Sequence, residues 1–198
     1  MAQNGKIEWT HHTANLWHGC TKVHAGCDHC YAETLSKRWG HNVWGNDNSR
    51  KPVKSFLKDI FKYQKLASAA GEMHRVFVGS MMDIFEKAMP LQPNEKTGEH
   101  LIMNTGDLRG SFFQMISDGL FPNLVFLMLT KRPSNINKII PSEWKVNPPA
   151  NVMFGCSISD QETADKLILQ LMDVNGKLFL SIEPQLHKIL LPDCIWKV

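Results

Sequence analysis

Leu124-Val125-Phe126-Leu127-Met128-Leu129 is the longest uninterrupted apolar run in the chain, and Thr130-Lys131-Arg132-Pro133 follows it without a break. Six residues are too few for a membrane span, which needs roughly twenty, and they fit one buried strand. Shorter runs of the same kind flank it: Ile7-Glu8-Trp9-Thr10, Val76-Phe77-Val78, Val152-Met153-Phe154 and Leu178-Phe179-Leu180. Helical patterns separate them, over Tyr31 to Trp39, Val53 to Ala70, Leu108 to Ser117, a short turn after Pro133, and Gln161 to Met172. In the last of these Ala164, Leu167, Ile168 and Leu171 recur at helical spacing, with Asp160 placed as N-cap. Strands alternating with helices predict an α/β fold on a parallel sheet, either open and doubly wound or curved like a barrel. Cys194 to Val198 is read as a sixth strand.

Polar residues gather where these strands end: Gly79, Ser80 and Asp83 after the second, Thr130-Lys131-Arg132 after the third, Ser157 and Ser159 after the fourth, Ser181 and Glu183 after the fifth. Parallel sheets bind ligands at the carboxyl ends of their strands, because loops and helix N-termini converge there. Gly40 to Pro52 and Lys87 to Thr105 are the least patterned stretches and are expected as loops or lids. Neither reads as a boundary, so residues 1–198 are expected to form a single domain.

Hydrophobic residues make up 43% of the 198 and charged residues 21%, the balance of an ordinary globular domain, which excludes wholesale disorder, collagen and coiled coil. Lys and Arg number 22 against 19 Asp and Glu, and a net charge of +3 is too small to argue by itself for nucleic acid. Met1 to Lys6 lack the apolar stretch of a secretory signal, so a cytoplasmic location with reduced thiols is expected, and no membrane partner.

Three of the five cysteines crowd into one loop, Gly19-Cys20-Thr21-Lys22-Val23-His24-Ala25-Gly26-Cys27-Asp28-His29-Cys30-Tyr31, with the spacing C-x6-C-x2-C. Three thiolates suit an iron–sulfur cluster or a zinc ion, and either needs a fourth ligand. An imidazole from His18, His24 or His29 would complete zinc, whereas a small molecule would complete a cluster with one open iron. Covalent haem of the c type is excluded, since Tyr31 stands where C-x-x-C-H needs histidine. Plain buried thiols are the bland alternative, and they are the reading given to Cys156 and Cys194.

Ile7-Glu8-Trp9-Thr10, Leu16-Trp17-His18-Gly19-Cys20-Thr21-Lys22-Val23 and Cys27-Asp28-His29-Cys30-Tyr31-Ala32-Glu33 together resemble the opening of a radical-SAM-like family of phages and bacteria, largely of unknown function. The blocks Phe77 to Phe85, Leu129 to Pro133, Asn151 to Ser159 and Leu180 to Pro184 are similar to later hallmarks of that family and come in its order. The x6 arm is longer than the x3 of most radical-SAM enzymes and resembles the variant of this family. Relatives continue past Ser181-Ile182-Glu183-Pro184 into another strand with a glycine-rich turn, so a member shortened at the C-terminus is expected.

The resemblance implies a partial (β/α)6-type TIM-like barrel of parallel strands. Cys20, Cys27 and Cys30 would ligate three irons of a 4Fe-4S cluster, and S-adenosylmethionine would chelate the fourth. An electron from an external reductant would then cleave the sulfonium to a 5′-deoxyadenosyl radical, the protein supplying orientation and exclusion of water. It further implies that Gly79, Ser80 and Asp83 meet the methionine end and that Lys131 and Arg132 pair with its carboxylate or a substrate phosphate. Ser157, Ser159 and Glu183 are implied to hold ribose hydroxyls or substrate. Without the resemblance, Lys131 and Arg132 are also exposed cations opening a turn, and Glu183 a loop carboxylate. Trp17 and Tyr31 are expected to shield the cluster loop, Met81 and Met82 to line pocket or core, and His11-His12 to form a solvent-facing turn. A looser similarity to spore photoproduct lyase and to phage contexts makes nucleic acid or a nucleotide the implied substrate. The competing reading is a non-catalytic phage-like interaction protein with a structural zinc or iron–sulfur site.

Overall fold

The structure, a computed structural model, describes residues 7–93, 97–98, 102–192 and 195. Its elements in chain order are β1 (His12–Ala14), β2 (Trp17–His18), α1 (Tyr31–Arg38), β3 (Lys51–Pro52), α2 (Phe56–Ala70), β4 (His74–Val78), α3 (Thr105–Ser117), β5 (Leu124–Thr130), α4 (Ile136–Ile139), α5 (Ser142–Val146), β6 (Val152–Ser157), α6 (Gln161–Met172) and β7 (Lys177–Ser181). Five strands form one parallel sheet in the order β1-β4-β5-β6-β7. Among the described residues β1 and β7 are its two edges, so the sheet is not closed into a barrel. β2 and β3 pair antiparallel as a small ribbon. No described helix is long and apolar enough to cross a membrane.

β5 is the middle strand and is apolar on both faces because both are covered. Leu124, Phe126 and Met128 face the main core with no exposed surface. There Phe126 meets the rings of Phe112 and Phe121 edge-on, with centroids 5.2 and 5.6 Å away. The alternate residue Leu129, and Lys131 just beyond the strand, line a cavity instead. β6 obeys the same alternation: Phe154 and Cys156 enter the core, and Ser157 reaches the cavity. Cys156 is thus the buried apolar thiol its isolation suggested. Between them on β6, Gly155 has no room for a side chain, because the Phe179 ring of β7 lies directly over its Cα.

Helix limits follow capping as well as periodicity. α6 begins where expected, its N-cap Asp160 accepting from Thr163 N at 2.8 Å. α3 begins three residues before the apolar pattern does, because Asn104 accepts from Gly106 N at 2.7 Å and sets the first turn. α2 begins at Phe56 rather than Val53, whose N–H donates to Leu16 O at 3.0 Å instead.

The first strand is not Ile7 to Thr10. Thr10 N closes a turn onto Ile7 O at 3.0 Å, and pairing with β4 begins only when His11 N reaches Arg75 O at 2.9 Å. Trp9 leaves the sheet register and packs on Phe77 and Phe179, at centroid distances of 5.0 and 6.2 Å. The His11-His12 turn is corrected with it. His12 is 1% exposed on β1, stacked flat on Tyr63 of α2 at 4.0 Å. Apart from Ile195, the expected sixth strand lies outside the described residues, Cys194 included.

Candidate functional site

A cavity of about 830 Å³ opens at the carboxyl ends of the parallel strands. It is lined by Cys20, Cys27 and Cys30, and by Gly79, Ser80, Asp83, Lys131, Arg132, Ser157 and Glu183. The strand-end rule therefore brings the cysteine loop, far away in sequence, onto the same wall as the polar strand termini. Ser159 is the exception among the expected residues. It has no exposed surface and sits behind Gly26, where a Cβ on that glycine would strike its hydroxyl. Trp17 also stays out, buried in the core, whereas Tyr31, Met81 and Met82 border the cavity.

Each cysteine is held by its own device. Cys20 follows β2, where Gly19 N donates to Met81 O at 3.0 Å and ties the loop beside the end of β4. Cys27 closes a single helical turn from Ala25, its N–H donating to His24 O at 2.9 Å, while His24 Nδ1 accepts from Gly26 N at 3.1 Å. Cys30 is the N-cap of α1. Among the described residues, no three His, Cys, Asp or Glu side chains stand close enough together to hold a single metal ion. All three cysteines border the same cavity.

The loop after β4 lines the same cavity. Gly79 turns the chain at φ +108, a conformation that favours glycine. Ser80 Oγ then accepts from Asn15 Nδ2 at 2.8 Å, and its carbonyl accepts from the Tyr31 hydroxyl at 2.6 Å. Asp83 is 5% exposed and its oxygens are already engaged: Phe85 N donates at 2.9 Å, Thr130 Oγ1 at 2.8 Å, Lys131 N at 3.2 Å and Arg132 Nη1 at 2.7 Å. Arg132 Nη2 donates to Thr21 O, and Nη1 also reaches Cys20 Sγ at 3.6 Å. Two residues expected to meet a ligand thus bind each other. Lys131 does not share that fate, since its Nζ donates to Ser157 Oγ at 2.7 Å and Ser157 Oγ donates to Glu183 O at 2.9 Å.

Burial pushes the Cys20 thiol up to about 12, Asp83 adding to the shift and Arg132 opposing it. Burial works against the Arg132 charge, yet Asp83, Cys20 and Glu86 outweigh it and hold the guanidinium's pKa above its ordinary value. His24 is shifted down, by burial first and then by Lys131.

Residues 4–196 match the family described as "Protein of unknown function (DUF5131)". The chain belongs to that family. No curated protein and no solved structure matches it. In this DUF5131 member the residues that local sequence reading passes over are Arg50 and Glu86. Arg50 is fully buried and donates through Nε and Nη2 to the Glu86 carboxylate, through Nη1 to the carbonyls of Val43, Gly45 and Asn48, and through Nη2 to Thr21 Oγ1. The Gly40 to Pro52 stretch, expected as a loop or lid, is therefore fastened to the cysteine loop. A charged pair in two polar loops leaves no local signal; only a fold that brings the loops together reveals it.

Proposed function

We propose that the chain is a radical-SAM-type iron–sulfur enzyme on a partial, TIM-like barrel, with Cys20, Cys27 and Cys30 as the ligands of a 4Fe-4S cluster. One observation carries the reading: three thiols from one short loop border a single cavity at the strand ends, together with a glycine turn, a lysine and several hydroxyls. Three thiolates with no fourth cysteine in the loop suit a cluster with one open iron. The cavity volume is within the range that holds a cofactor-sized ligand.

Bound there, the cluster and S-adenosylmethionine would supply one-electron reductive cleavage of the sulfonium, the electron coming from an external donor. The protein's part is binding and orientation. Gly79 exposes backbone at a tight turn, and Ser80 beside it is fixed by Asn15 and Tyr31. Lys131 offers a cation aligned by Ser157. Trp9 and Phe77 give the wall flat apolar surface that excludes water. Aromatic faces beside a cation and hydroxyls suit a nucleoside or nucleotide, which supports a nucleotide or nucleic acid as substrate.

The test is metal analysis of anaerobically purified protein followed by incubation with S-adenosylmethionine and a reductant. Iron with acid-labile sulfide and formation of 5′-deoxyadenosine are expected. About one zinc per chain without sulfide, or a loaded cluster that leaves S-adenosylmethionine intact, would overturn the proposal.

A further inference from the structure

Arg132 is the third member of an alternating chain of charges that ends at a cysteine. Arg50 holds Glu86 at 2.7 Å, Glu86 Oε1 lies 3.8 Å from Arg132 Nη2, and Arg132 Nη1 lies 2.7 Å from Asp83 Oδ2 and 3.6 Å from Cys20 Sγ. Arg50, Glu86 and Asp83 are 0, 2 and 5% exposed. Opposite charges alternate along the set, and the buried Arg109, on which Asp83 and Glu86 also act, adds a third cation beside the two carboxylates, so each carboxylate leaves water facing guanidinium groups. Both terminal nitrogens of Arg132 are engaged inside the protein, by Asp83 and Cys20 on one and by the Thr21 carbonyl on the other. An incoming carboxylate or phosphate would have to displace Asp83. Arg132 is poorly placed as an anion receptor and well placed to act on sulfur.

We infer that Arg132 is a positioning residue for Cys20, its guanidinium donating a charge-assisted hydrogen bond to the sulfur and so raising the reduction potential of the cluster that sulfur holds. The inference rests on the iron–sulfur reading above. Hydrogen bonds to ligand sulfur and nearby positive charge favour the reduced, more negative state of a cluster, and burial keeps salt from screening them. Asp83 acts in the opposite sense, because it holds the guanidinium in place while adding a negative charge of its own near the sulfur. Arg50 and Glu86 fix the far side of the fork, and Arg50 also fastens Thr21, the residue next to Cys20.

The test is the midpoint potential of the full chain, reconstituted anaerobically with iron and sulfide and titrated without S-adenosylmethionine. The variants are Arg132→Gln, Arg132→Lys and Asp83→Asn, compared at equal iron and sulfide per chain. Arg132→Gln is expected to move the potential in the negative direction and Asp83→Asn in the positive direction. Arg132→Lys, which keeps the charge and loses the planar fork, is expected to fall between wild type and Arg132→Gln. A purely structural role would not give shifts of opposite sign. Potentials that stay at the wild-type value, or that move together in one direction, overturn the inference. If Arg132→Gln holds no cluster, the other two variants decide it by the same criterion. Wild-type protein that takes up neither iron nor sulfide would instead overturn the iron–sulfur reading itself, before any variant is compared.

Discussion

Arg50 and Glu86 form a two-point ion pair, Nε to Oε2 at 3.0 Å and Nη2 to Oε1 at 2.7 Å, in which neither side chain reaches solvent. Removing Arg50 takes away both close contacts of the buried Glu86 carboxylate and leaves it the longer 3.8 Å approach of Arg132. Arg50→Met is therefore expected to cost about 3–5 kcal/mol in urea unfolding, with the double change Arg50→Met, Glu86→Leu markedly milder. Arg50→Lys should recover little, because one ammonium cannot reproduce the fork that also reaches Val43, Gly45 and Asn48 carbonyls. A double variant as unstable as the single one would show that the fastening of the loop outweighs the charge.

On the proposed function, cysteine position separates ligands from packing. Cys20→Ala, Cys27→Ala and Cys30→Ala should each abolish iron and sulfide loading, since every one of them borders the cavity. Cys156→Ala should load normally while losing some stability, because its thiol is fully buried in the core on the opposite face of β6. Iron and sulfide assays on the four variants check this, and equal loss from all four would refute the assignment.

Acid should destabilise the fold through His12. Its ring lies flat on Tyr63, and its Nε2 is 3.0 Å from His74 Nδ1. Burial, with His74, His11 and Lys62 adding positive charge nearby, holds its pKa down to about 4 from 6.5. Between those values the unfolded chain binds the proton and the folded chain does not, so stability falls as pH drops from 6.5 towards 4 and is regained as it rises. The loss is at most about 3 kcal/mol. Urea midpoints from pH 7 to pH 4.5 are expected to decline less steeply in His12→Gln than in wild type.

The middle of the sheet was readable because burial on both faces leaves nothing but apolar residues: β5 and β6 follow directly from Leu124 to Leu129 and Val152 to Phe154. So was the placing of polar residues at strand ends, where a parallel sheet presents them. β1 was not. His12-Thr13-Ala14 is too short and too polar to show a pattern, and its burial depends on Tyr63 and His74, 51 and 62 residues further on. Ile7 to Thr10, by contrast, alternates like a strand while serving as a turn that delivers Trp9 to Phe77. Arg132 was legible as a residue of the strand-end cavity but not in its orientation, since its partners Asp83 and Glu86 arrive from a different strand end.

On the proposed function, Lys131 is the cation at the cavity wall placed to meet an anionic ligand. Among the described residues its Nζ has one hydrogen bond, to Ser157 Oγ, and no carboxylate within ion-pair distance. A half-buried ammonium at a cavity wall is best satisfied by an anionic group on whatever enters. A charge-assisted contact of this kind contributes about 1.5–3 kcal/mol, so Lys131→Gln is expected to weaken binding of S-adenosylmethionine or of the anionic substrate by roughly ten- to a hundredfold. The glutamine amide can still donate to Ser157, so the thermal midpoint should hardly move. Calorimetric titration with S-adenosylmethionine, and the same titration with neutral 5′-deoxyadenosine and with methionine, tells whether the methionine carboxylate is the partner. Unchanged affinity for S-adenosylmethionine alongside a raised KM for substrate would place Lys131 on the substrate side of the cavity, and no change in either would show that Ser157 alone accounts for its position.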